Sequence, residues 1–229
     1  MNLAIIPARG GSKRIPRKNI KNFIDKPIIS YSIKAAIDSK LFEEVMVSTD
    51  DEEIAEIAIK YGAKIPFFRS KKNSNDFATT FDVISEVITS YLIANKKFEN
   101  TCCLYACAPF VNADILIKSY KLFIKEQYDS LFPVTSFGYP IQRALEFSEN
   151  KLKFLNPEFE LTRSQDLIKT YHDVGQFYWM NNDKILQKNK ILTNNTGAII
   201  LSELEAQDID NVVDWKLAEL KYELLQSIK

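Results

Sequence analysis

The stretch of the sequence with the clearest chemical potential is a basic loop over residues 7–19, PARGGSKRIPRKN. Six cations and no acidic residue lie between Arg9 and Lys21. The adjacent Gly10 and Gly11 allow backbone N–H groups to approach an anion closely, while lysine and arginine side chains neutralise its charge. Binding of a triphosphate requires both close backbone N–H groups and neighbouring positive charge. The spacing matches neither the P-loop pattern nor the glycine pattern of dinucleotide-binding enzymes, so both classes are disfavoured.

A second candidate is a pair of carboxylates near the end of the chain. Asp208 and Asp210 are separated by one residue, so both side chains project from the same face of an extended segment. Two hard oxygen ligands beside a triphosphate are the usual way to hold Mg²⁺. The pair could instead cap the helix that follows it. From the residues alone, the capping interpretation is the stronger of the two.

The composition limits the class of protein that carries these residues. The chain has 229 residues, of which 46% are apolar and 26% charged, and this fits one α/β domain over 1–229. Thirty basic and thirty acidic side chains balance, which argues against a surface built throughout for nucleic acid or an anionic membrane. Cys102, Cys103 and Cys107 lie too close together for a disulfide framework and are expected to be reduced core residues. Without a leader or membrane-span pattern, the sequence predicts a cytoplasmic protein.

The elements that must position these residues follow from the hydrophobic pattern. Short apolar runs alternate with helical periodicities, which is typical of a βαβ layer fold. We expect strands at 3–7, 43–48, 65–68, 101–105, 130–134, 176–180 and 198–201. We expect helices from near Pro27, from a capping pair of Asp50 and Glu53 to Gly62, at 79–94 and at 114–126. A terminal helix is predicted from an apolar stripe formed by Val213, Leu217, Leu220, Leu224 and Ile228.

The regular alternation stops between residues 137 and 175. A polar hairpin is expected there, with strands at 145–147 and 152–155 around Glu149–Lys151. An irregular charged segment follows it. Because this stretch is too long for an ordinary connection between a strand and a helix, we expect a functional excursion or an oligomerisation arm within the single domain.

The motifs occur in one order along nearly the whole chain. They are the loop segments 8–13 and 16–19, 47–50 (VSTD), Phe68–Arg69 with Asp76 and Thr80, Ala108–Pro109, Gly175 with Tyr178, and 208–210 (DID). This arrangement resembles the CMP-sialic acid synthetase-like cytidylyltransferases, which activate sialic acid-like sugars with CTP. The resemblance implies a Rossmann-like nucleotidyltransferase fold, with a predominantly parallel mixed sheet flanked by helices. It also implies a small dimerisation insertion at 137–175 and a homodimer.

Two departures from the sialic acid enzymes favour a pseudaminic acid branch of this family. Residues 104–109 read LYACAP and lack the Gln of the sialic acid enzymes, and residues 172–179 read HDVGQFYW. The implied reaction transfers CMP from CTP to the anomeric hydroxyl of a nine-carbon 2-keto sugar acid and releases pyrophosphate. The activated sugar would serve surface glycan or flagellin glycosylation. Pseudaminic acid is the expected acceptor, with N-acetylneuraminic and legionaminic acids as alternatives.

The resemblance also assigns roles to individual residues. The implied nucleotide contacts are Ala8, Arg9, Gly10, Gly11, Ser12, Lys13, Lys18, Asn19, Arg69, Ala78, Thr79 and Thr80. The implied catalytic residues are Arg9, Lys18, Asp208 and Asp210, and the two aspartates are implied to hold Mg²⁺. The expected sugar contacts are Tyr105, Gln142, Arg143, Arg163, His172 and Gln176. An arginine matching Arg163 reaches the neighbouring subunit's ligand in the family.

Alternatives from other classes stay open at this point. The basic loop 9–21 could bind RNA phosphates, which would make the chain an RNA-binding module. A nucleotide-binding regulatory protein could keep the fold without turnover. At the level of residues, a lone His172 before a strand is more often a structural hydrogen-bond donor than a sugar contact. Tyr105 is either a pocket wall or part of the core.

Overall fold

Strands and helices alternate along the chain in a computed structural model that describes residues 1–228. The strands are β1 (Asn2–Pro7), β2 (Asn22–Phe23), β3 (Lys26–Pro27), β4 (Glu44–Ser48), β5 (Asn100–Leu104), β6 (Ser130–Ser136), β7 (Leu145–Ser148), β8 (Lys151–Phe154), β9 (Tyr171–Asp173), β10 (Phe177–Asn181) and β11 (Thr196–Ile200). The α-helices are α1 (Ile29–Ser39), α2 (Glu52–Lys60), α3 (Thr80–Ile93), α4 (Ala113–Lys125), α5 (Asn182–Lys188) and α6 (Val212–Ile228).

The central sheet has the order β11-β6-β10-β5-β1-β4, with β9 paired to β6. Strand β1 runs parallel to β4 and β5, and β6 runs parallel to β11. Only β10 and β9 run in the opposite direction. The expected predominantly parallel mixed sheet is therefore confirmed. The carboxyl ends of β1, β4 and β5 meet at one edge, which is where ligands bind in folds of this type.

Helices cover both faces of the sheet because successive strand residues point in opposite directions and both sets are apolar. In β1, Ile6 packs in one cluster with Ile33 of α1. Its neighbour Ile5 packs on the other face with Ile84 of α3. All of these side chains are fully buried. A rigid layered core thus fixes the strand ends from which the loops emerge.

One predicted strand does not form, and one predicted helix begins two residues later than Pro27. Residues 65–68 form no strand, and the chain makes an isolated bridge just before them, between Met46 and Lys64. Pro66 lies in the middle of that run and has no N–H to donate to a ladder. Helix α1 begins at Ile29 rather than near Pro27, because Lys26–Pro27 pairs with Asn22–Phe23 in a short hairpin.

The expected capping pair at the start of α2 is shifted by one residue. Asp51, not Asp50, is the N-cap, and its Oδ1 accepts a hydrogen bond from the Ile54 backbone N–H at 3.0 Å. Asp50 instead accepts from the backbone N–H of Gly10 at 3.0 Å. Glu53 lies in the first turn, where a negative charge stabilises the helix dipole. The two adjacent aspartates therefore have different partners.

The predicted apolar stripe of α6 is the exposed face of that helix. Each of its members is at least 43% exposed: Val213, Leu217, Leu220, Leu224 and Ile228. The helix instead packs through Trp215 and Tyr222, whose rings meet the ring of Phe23 edge-on at centroid distances of 5.7 and 5.6 Å. Large aromatic rings bury more area per residue than the aliphatic stripe, so the aromatic face is the one that packs.

The insertion at 137–175 contains the expected hairpin. Strands β7 and β8 pair antiparallel, and Glu149 and Asn150 take the left-handed backbone conformation between them. Such a conformation suits the tight turn of a two-residue hairpin loop. Strand β9 then returns to the central sheet beside β6. Across residues 1–228, no helix is long and apolar enough to cross a membrane.

Candidate active site

A cavity of about 690 Å³ opens at the carboxyl end of β1. Its walls come from the basic loop, from Arg69, from segment 73–80 and from Tyr105 after β5. The volume lies in the range of small-molecule sites. Of the predicted nucleotide contacts, it brings together Arg9, Ser12, Lys13, Lys18, Asn19, Arg69, Ala78, Thr79 and Thr80.

Hydrogen bonds within the loop hold its cations over this cavity. Asn19 Nδ2 donates to the carbonyl of Arg9 at 2.9 Å, which joins the two ends of the loop. Ile15 is buried beneath it and belongs to the same apolar cluster as Ile209 and Trp215. Lys18 Nζ donates to the carbonyl of Ile209 at 2.7 Å, so the loop is also tied to the carboxylate segment.

Three predicted nucleotide contacts do not line the cavity. Ala8 is buried and donates its N–H to the carbonyl of Ser48 at 2.9 Å. The N–H of Gly10 is taken by Asp50, so it is not free for a phosphate. Gly11 is exposed, and a Cβ added to it would meet no atom within 4 Å. A close backbone approach to a ligand is therefore possible at Gly11 and not at Gly10.

Asp76 is a site residue to which the sequence assigned no role. Its carboxylate pairs with Arg9 Nη1 at 2.8 Å and with Lys13 Nζ at 2.5 Å. Hydrogen bonds from Lys13 and Arg9 lower the pKa of Asp76. An incoming polyphosphate would meet two cations that already share one carboxylate. The signal was available, since Asp76 lies in a polar run just before the helix cap at Thr79.

Arg69 and the start of α3 form the opposite wall. Arg69 is 8% exposed, and its Nε and Nη2 donate to the hydroxyl and the carbonyl of Ser48 at 3.0 and 2.5 Å. Burial lowers the pKa of Arg69. The Thr79 hydroxyl takes part in a capping box with Asp82. Thr80 Oγ1 lies 2.8 Å from the hydroxyl of Tyr105.

Asp208 and Asp210 flank the buried Ile209, so their side chains point away from the core together. Burial and the neighbouring Asp210 raise the pKa of Asp208. Arg14 Nη1 pairs with Asp210 Oδ2 at 2.6 Å. The two carboxylates thus crowd their negative charge beside the loop.

The capping interpretation of this aspartate pair is wrong. Asn211 Oδ1 accepts from the backbone N–H groups of Val213 and Asp214, at 2.8 and 3.1 Å. Asp214 Oδ2 accepts from the N–H groups of Asp210 and Asn211, at 2.9 and 3.0 Å. The start of α6 is therefore satisfied without either Asp208 or Asp210 side chain.

A second cavity of about 490 Å³ adjoins the first through Thr80 and Tyr105, which line both. His172 and Asp173 contribute polar groups to it, and Tyr178 donates its hydroxyl to Asp173 Oδ2 at 2.6 Å. The remaining walls are largely apolar and comprise Phe132, Val134, Tyr171, Ile191 and Leu192. Tyr105 is thus a wall residue, and two cavities of different polarity meet at its ring.

The other predicted sugar contacts lie elsewhere in the single chain. Gln176 is 2% exposed, donates from Nε2 to the carbonyl of Glu205 at 2.5 Å and lines neither cavity, so its side chain has a structural partner and its sugar contact stays a prediction. Gln142, Arg143 and Arg163 lie on the insertion, outside both cavities. Gln142 Nε2 donates to the carbonyl of Ile168 at 2.8 Å. Within the single chain, none of these three residues lines either cavity.

Comparison with known proteins finds similar sequences over nearly the whole chain. The sequence model of the family described as cytidylyltransferase matches residues 3–224. A pseudaminic acid cytidylyltransferase of Campylobacter jejuni serotype O:2 is 46% identical over 97% of this chain and 97% of its own length. A CMP-N,N'-diacetyllegionaminic acid synthase of the same organism is 32% identical over 95% and 93% of the two chains.

The fold also matches a solved structure. A CMP:2-keto-3-deoxy-manno-octonic acid synthetase in complex with CTP superposes with a TM-score of 0.68 over 99% of both chains. The two sequences are 15% identical, so this likeness establishes the shared fold alone.

Proposed function

The chain belongs to the cytidylyltransferase family, and on that premise we propose that it transfers CMP from CTP to the anomeric hydroxyl of pseudaminic acid. The observation that carries the proposal is the cationic cavity at the carboxyl end of β1. Arg9, Lys13 and Lys18 converge there on a concave space of about 690 Å³. A triphosphate needs clustered positive charge, and a nucleoside needs an enclosed pocket beside it.

Positioning and electrostatics supply most of the catalysis in this account, as in other phosphoryl-group chemistry. Arg9 and Lys18 neutralise the phosphates while Arg69 and the start of α3 hold the nucleoside. The oxygen of the anomeric hydroxyl forms a bond to the α-phosphorus and loses its proton to solvent, while the bond from the α-phosphorus to the pyrophosphate oxygen breaks and pyrophosphate leaves. No covalent intermediate with the protein is needed.

Mg²⁺ is the proposed cofactor, and the donor set fits it. Asp208 and Asp210 provide hard oxygen ligands. Burial and the charge of Asp210 raise the pKa of Asp208, so two negative charges side by side are disfavoured there. Within residues 1–228, no cluster of three or more His, Cys, Asp or Glu side chains could hold a metal ion. The other ligands would therefore come from water and phosphate oxygens. When bound, the ion would neutralise charge on the phosphates.

The adjoining cavity of about 490 Å³ is the proposed acceptor site. It meets the nucleotide cavity at Tyr105, so an acceptor there would face the α-phosphate. Its apolar walls suit a sugar acid that carries acyl groups better than a fully hydroxylated one. Pseudaminic acid is preferred over legionaminic acid because the relative named for it is more similar, with 46% against 32% identity.

A homodimer is proposed from the exposed apolar surface of the insertion. Hairpin residues Phe147 and Leu152 lie opposite each other and are 67% and 64% exposed. Leu161 and Ile168, farther along, are 95% and 82% exposed. A surface of this kind marks an interaction site. Paired insertions would let Gln142, Arg143 and Arg163 reach the acceptor site of the second chain, where a guanidinium suits a sugar carboxylate.

The alternative of an RNA-binding module is less well supported. Four of the six loop cations pair with carboxylates of the chain itself: Arg9 and Lys13 with Asp76, Arg14 with Asp210, and Arg17 with Asp51 and Glu53. Such pairing leaves little free charge for a polyanion on the outer surface. RNA binding would depend on counterion release from many free cations. The cytoplasmic location expected from the sequence stays a prediction.

Pyrophosphate release by the purified protein tests the proposal. We expect release that requires CTP, Mg²⁺ and pseudaminic acid together, and much weaker release when UTP replaces CTP. Chelation of the metal is the control for the cofactor. A folded protein that releases no pyrophosphate with any of the three nonulosonic acids would contradict the proposed activity.

A further inference from the structure

Arg17 of the basic loop and Asp51, the N-cap of α2, form a partly buried ion pair. Arg17 Nη1 lies 2.5 Å from Asp51 Oδ2, and Arg17 Nη2 lies 2.8 Å from Asp51 Oδ1. The two side chains are 38% and 22% exposed. A bidentate pair of this kind fixes the relative orientation of its partners as well as their distance. Glu53 adds a third contact, from its Oε2 to Arg17 Nη2 at 2.5 Å.

The same carboxylate also packs against the other end of the loop. A Cβ built on Gly10 would lie 2.5 Å from Asp51 Oδ2 and 3.1 Å from Asp51 Cβ. The backbone at Gly10 is further fixed by its hydrogen bond to Asp50. The N-cap side chain of α2 is therefore in contact with residues 10 and 17, which are the chain neighbours of Arg9 and Lys18.

The backbone at Arg17 is held in an unusual conformation. Its φ is +54°, in the left-handed region that non-glycine residues enter at a cost. Lys18 follows at once and begins a short 3₁₀ turn, over Lys18–Ile20. Strained backbone persists where the surrounding structure determines it, and such positions cluster at functional sites. Backbone N–H groups of Ile20 and Lys21 donate to the Arg17 carbonyl, both at 3.0 Å, and the ion pair fixes the side chain of the same residue. Together these contacts set the direction in which the chain enters Lys18.

We propose that Arg17 and Asp51 are positioning residues for nucleotide binding, which set the separation between Gly10 and Lys18. This inference rests on the proposed function. Neither residue lines the nucleotide cavity, so each acts through the loop rather than on the phosphates. The hydrogen bond from Arg17 lowers the pKa of Asp51, because the guanidinium stabilises the ionised carboxylate.

The test uses Arg17, because Asp51 also caps α2 and its loss would affect that helix. Arg17→Met keeps an apolar stem and removes the guanidinium, whereas Arg17→Lys keeps the charge and loses the bidentate geometry. Lys97→Met is the matched control, since Lys97 pairs with Asp183 on the surface and lines neither cavity. CTP binding is measured by calorimetry on the full chain, together with the Michaelis constants of both substrates and the melting temperature.

We expect Arg17→Met to weaken CTP binding about tenfold, within the range that a misplaced binding group costs. Arg17→Lys should give an intermediate loss, and the Michaelis constant for the sugar acid should change less than twofold in either variant. Lys97→Met should bind CTP as the wild type does.

Two results would overturn the inference alone. One is CTP affinity in Arg17→Met equal to that of the wild type, whatever the melting temperature. The other is an equal rise in both Michaelis constants, which a general loss of structure would produce. A folded wild-type protein that binds no CTP would overturn the proposed function and this inference together. The binding measurement therefore separates the two failures.

Discussion

At the scale of single residues, the site is built from carboxylates that are already paired with the cations of the basic loop. Asp76 holds Arg9 and Lys13, and Asp210 holds Arg14. These pairs are exposed enough for a ligand to exchange with them, and exposed pairs contribute little to stability. The ion pairs therefore hold the loop before the substrate arrives, and breaking them costs little free energy when the substrate binds.

Asp210→Asn tests the metal assignment. We expect the turnover number to fall about a hundredfold, comparable with the loss of other electrostatic groups at active sites. The fold should be intact, because Asn211 and Asp214 satisfy the start of α6. The measurement is pyrophosphate release as Mg²⁺ is titrated, with circular dichroism to check folding.

Asp38→Asn is the matched control, since Asp38 pairs with Lys34 on the surface of α1. It should leave turnover unchanged. Near-normal turnover of Asp210→Asn at saturating Mg²⁺ would remove Asp210 from the metal site.

Gly10→Ala and Gly11→Ala should differ sharply in stability. A methyl group on Gly10 would lie 2.5 Å from Asp51 Oδ2, and that oxygen is held by Arg17. We expect the free energy of unfolding to fall by about 1–3 kcal/mol, the usual cost of overpacking. The same change at Gly11 meets no atom within 4 Å and should cost less than about 0.5 kcal/mol.

Denaturant unfolding of the two variants measures this difference. Equal stabilities would show that Asp51 moves aside freely. In that case, the close contact between Gly10 and Asp51 would not constrain the loop.

At the scale of elements, Glu44 joins three parts of the fold. It begins β4, its side chain is 6% exposed, and it accepts hydrogen bonds from Lys96, Lys64 and the Tyr91 hydroxyl. Burial alone would raise the pKa of Glu44, but the hydrogen bonds from Lys96, Tyr91 and Lys64 outweigh it and lower the pKa. A lowered folded-state pKa means that the ionised carboxylate stabilises the folded chain.

Glu44→Gln should therefore lower the free energy of unfolding by about 1–3 kcal/mol at neutral pH. The wild-type advantage is fully present above the unfolded-state pKa of about 4.3. It is lost as the pH falls through the lower folded-state value, so the two unfolding curves should converge in acid. Glu43→Gln is the control, because Glu43 is 45% exposed and meets Lys96 only at 3.9 Å. A difference that stays constant across this pH range would contradict the role of Glu44.

Hydrophobic periodicity predicts where elements lie better than it predicts which face packs. The alternation of strands and helices follows from burial on both sheet faces, and the sequence shows it directly. In α6, two apolar faces compete, and the choice depends on the ring of Phe23, which is distant in sequence. A single-residue shift of the cap from Asp50 to Asp51 likewise depends on Gly10, which lies 40 residues away.

The same limit applies to the candidate site, where the sequence reveals contiguous residues but not the partners that the fold brings to them. The basic loop was recognisable because its cations and glycines are contiguous, and the structure places Arg9, Lys13 and Lys18 at one cavity. The sequence assigns Asp76 no role and does not reveal the structural partner of Gln176, because Arg9 and the carbonyl of Glu205 are brought to these two residues only by the fold. Spacing along a chain does not reveal such partners.

At the scale of the whole molecule, the proposed acceptor site includes residues from the insertion of a second chain. The exposed hairpin residues Phe147 and Leu152 belong to the same insertion as Arg163. Phe147→Asp should convert a dimer to monomers, because a buried unpaired charge opposes association. We also expect the Michaelis constant for the sugar acid to rise while that for CTP changes little, since the nucleotide cavity is complete within one chain.

Sedimentation velocity with parallel kinetics checks this prediction. Ile59→Asp is the matched control, because Ile59 is 58% exposed on α2, away from the insertion. A wild type that is monomeric at micromolar concentration, or a Phe147→Asp variant that stays dimeric, would contradict the proposed interface.

The most direct test of the central claim is the ratio kcat/KM for three acceptors. Pseudaminic, legionaminic and N-acetylneuraminic acids would each be supplied with CTP and Mg²⁺, and the CMP-sugar would be identified by mass spectrometry. The account predicts that pseudaminic acid is the preferred acceptor by at least about tenfold, a margin that mismatched polar groups in a pocket readily produce. A higher ratio for either of the other acids would contradict the assigned acceptor, and no CMP-sugar from any of them would contradict the activity itself.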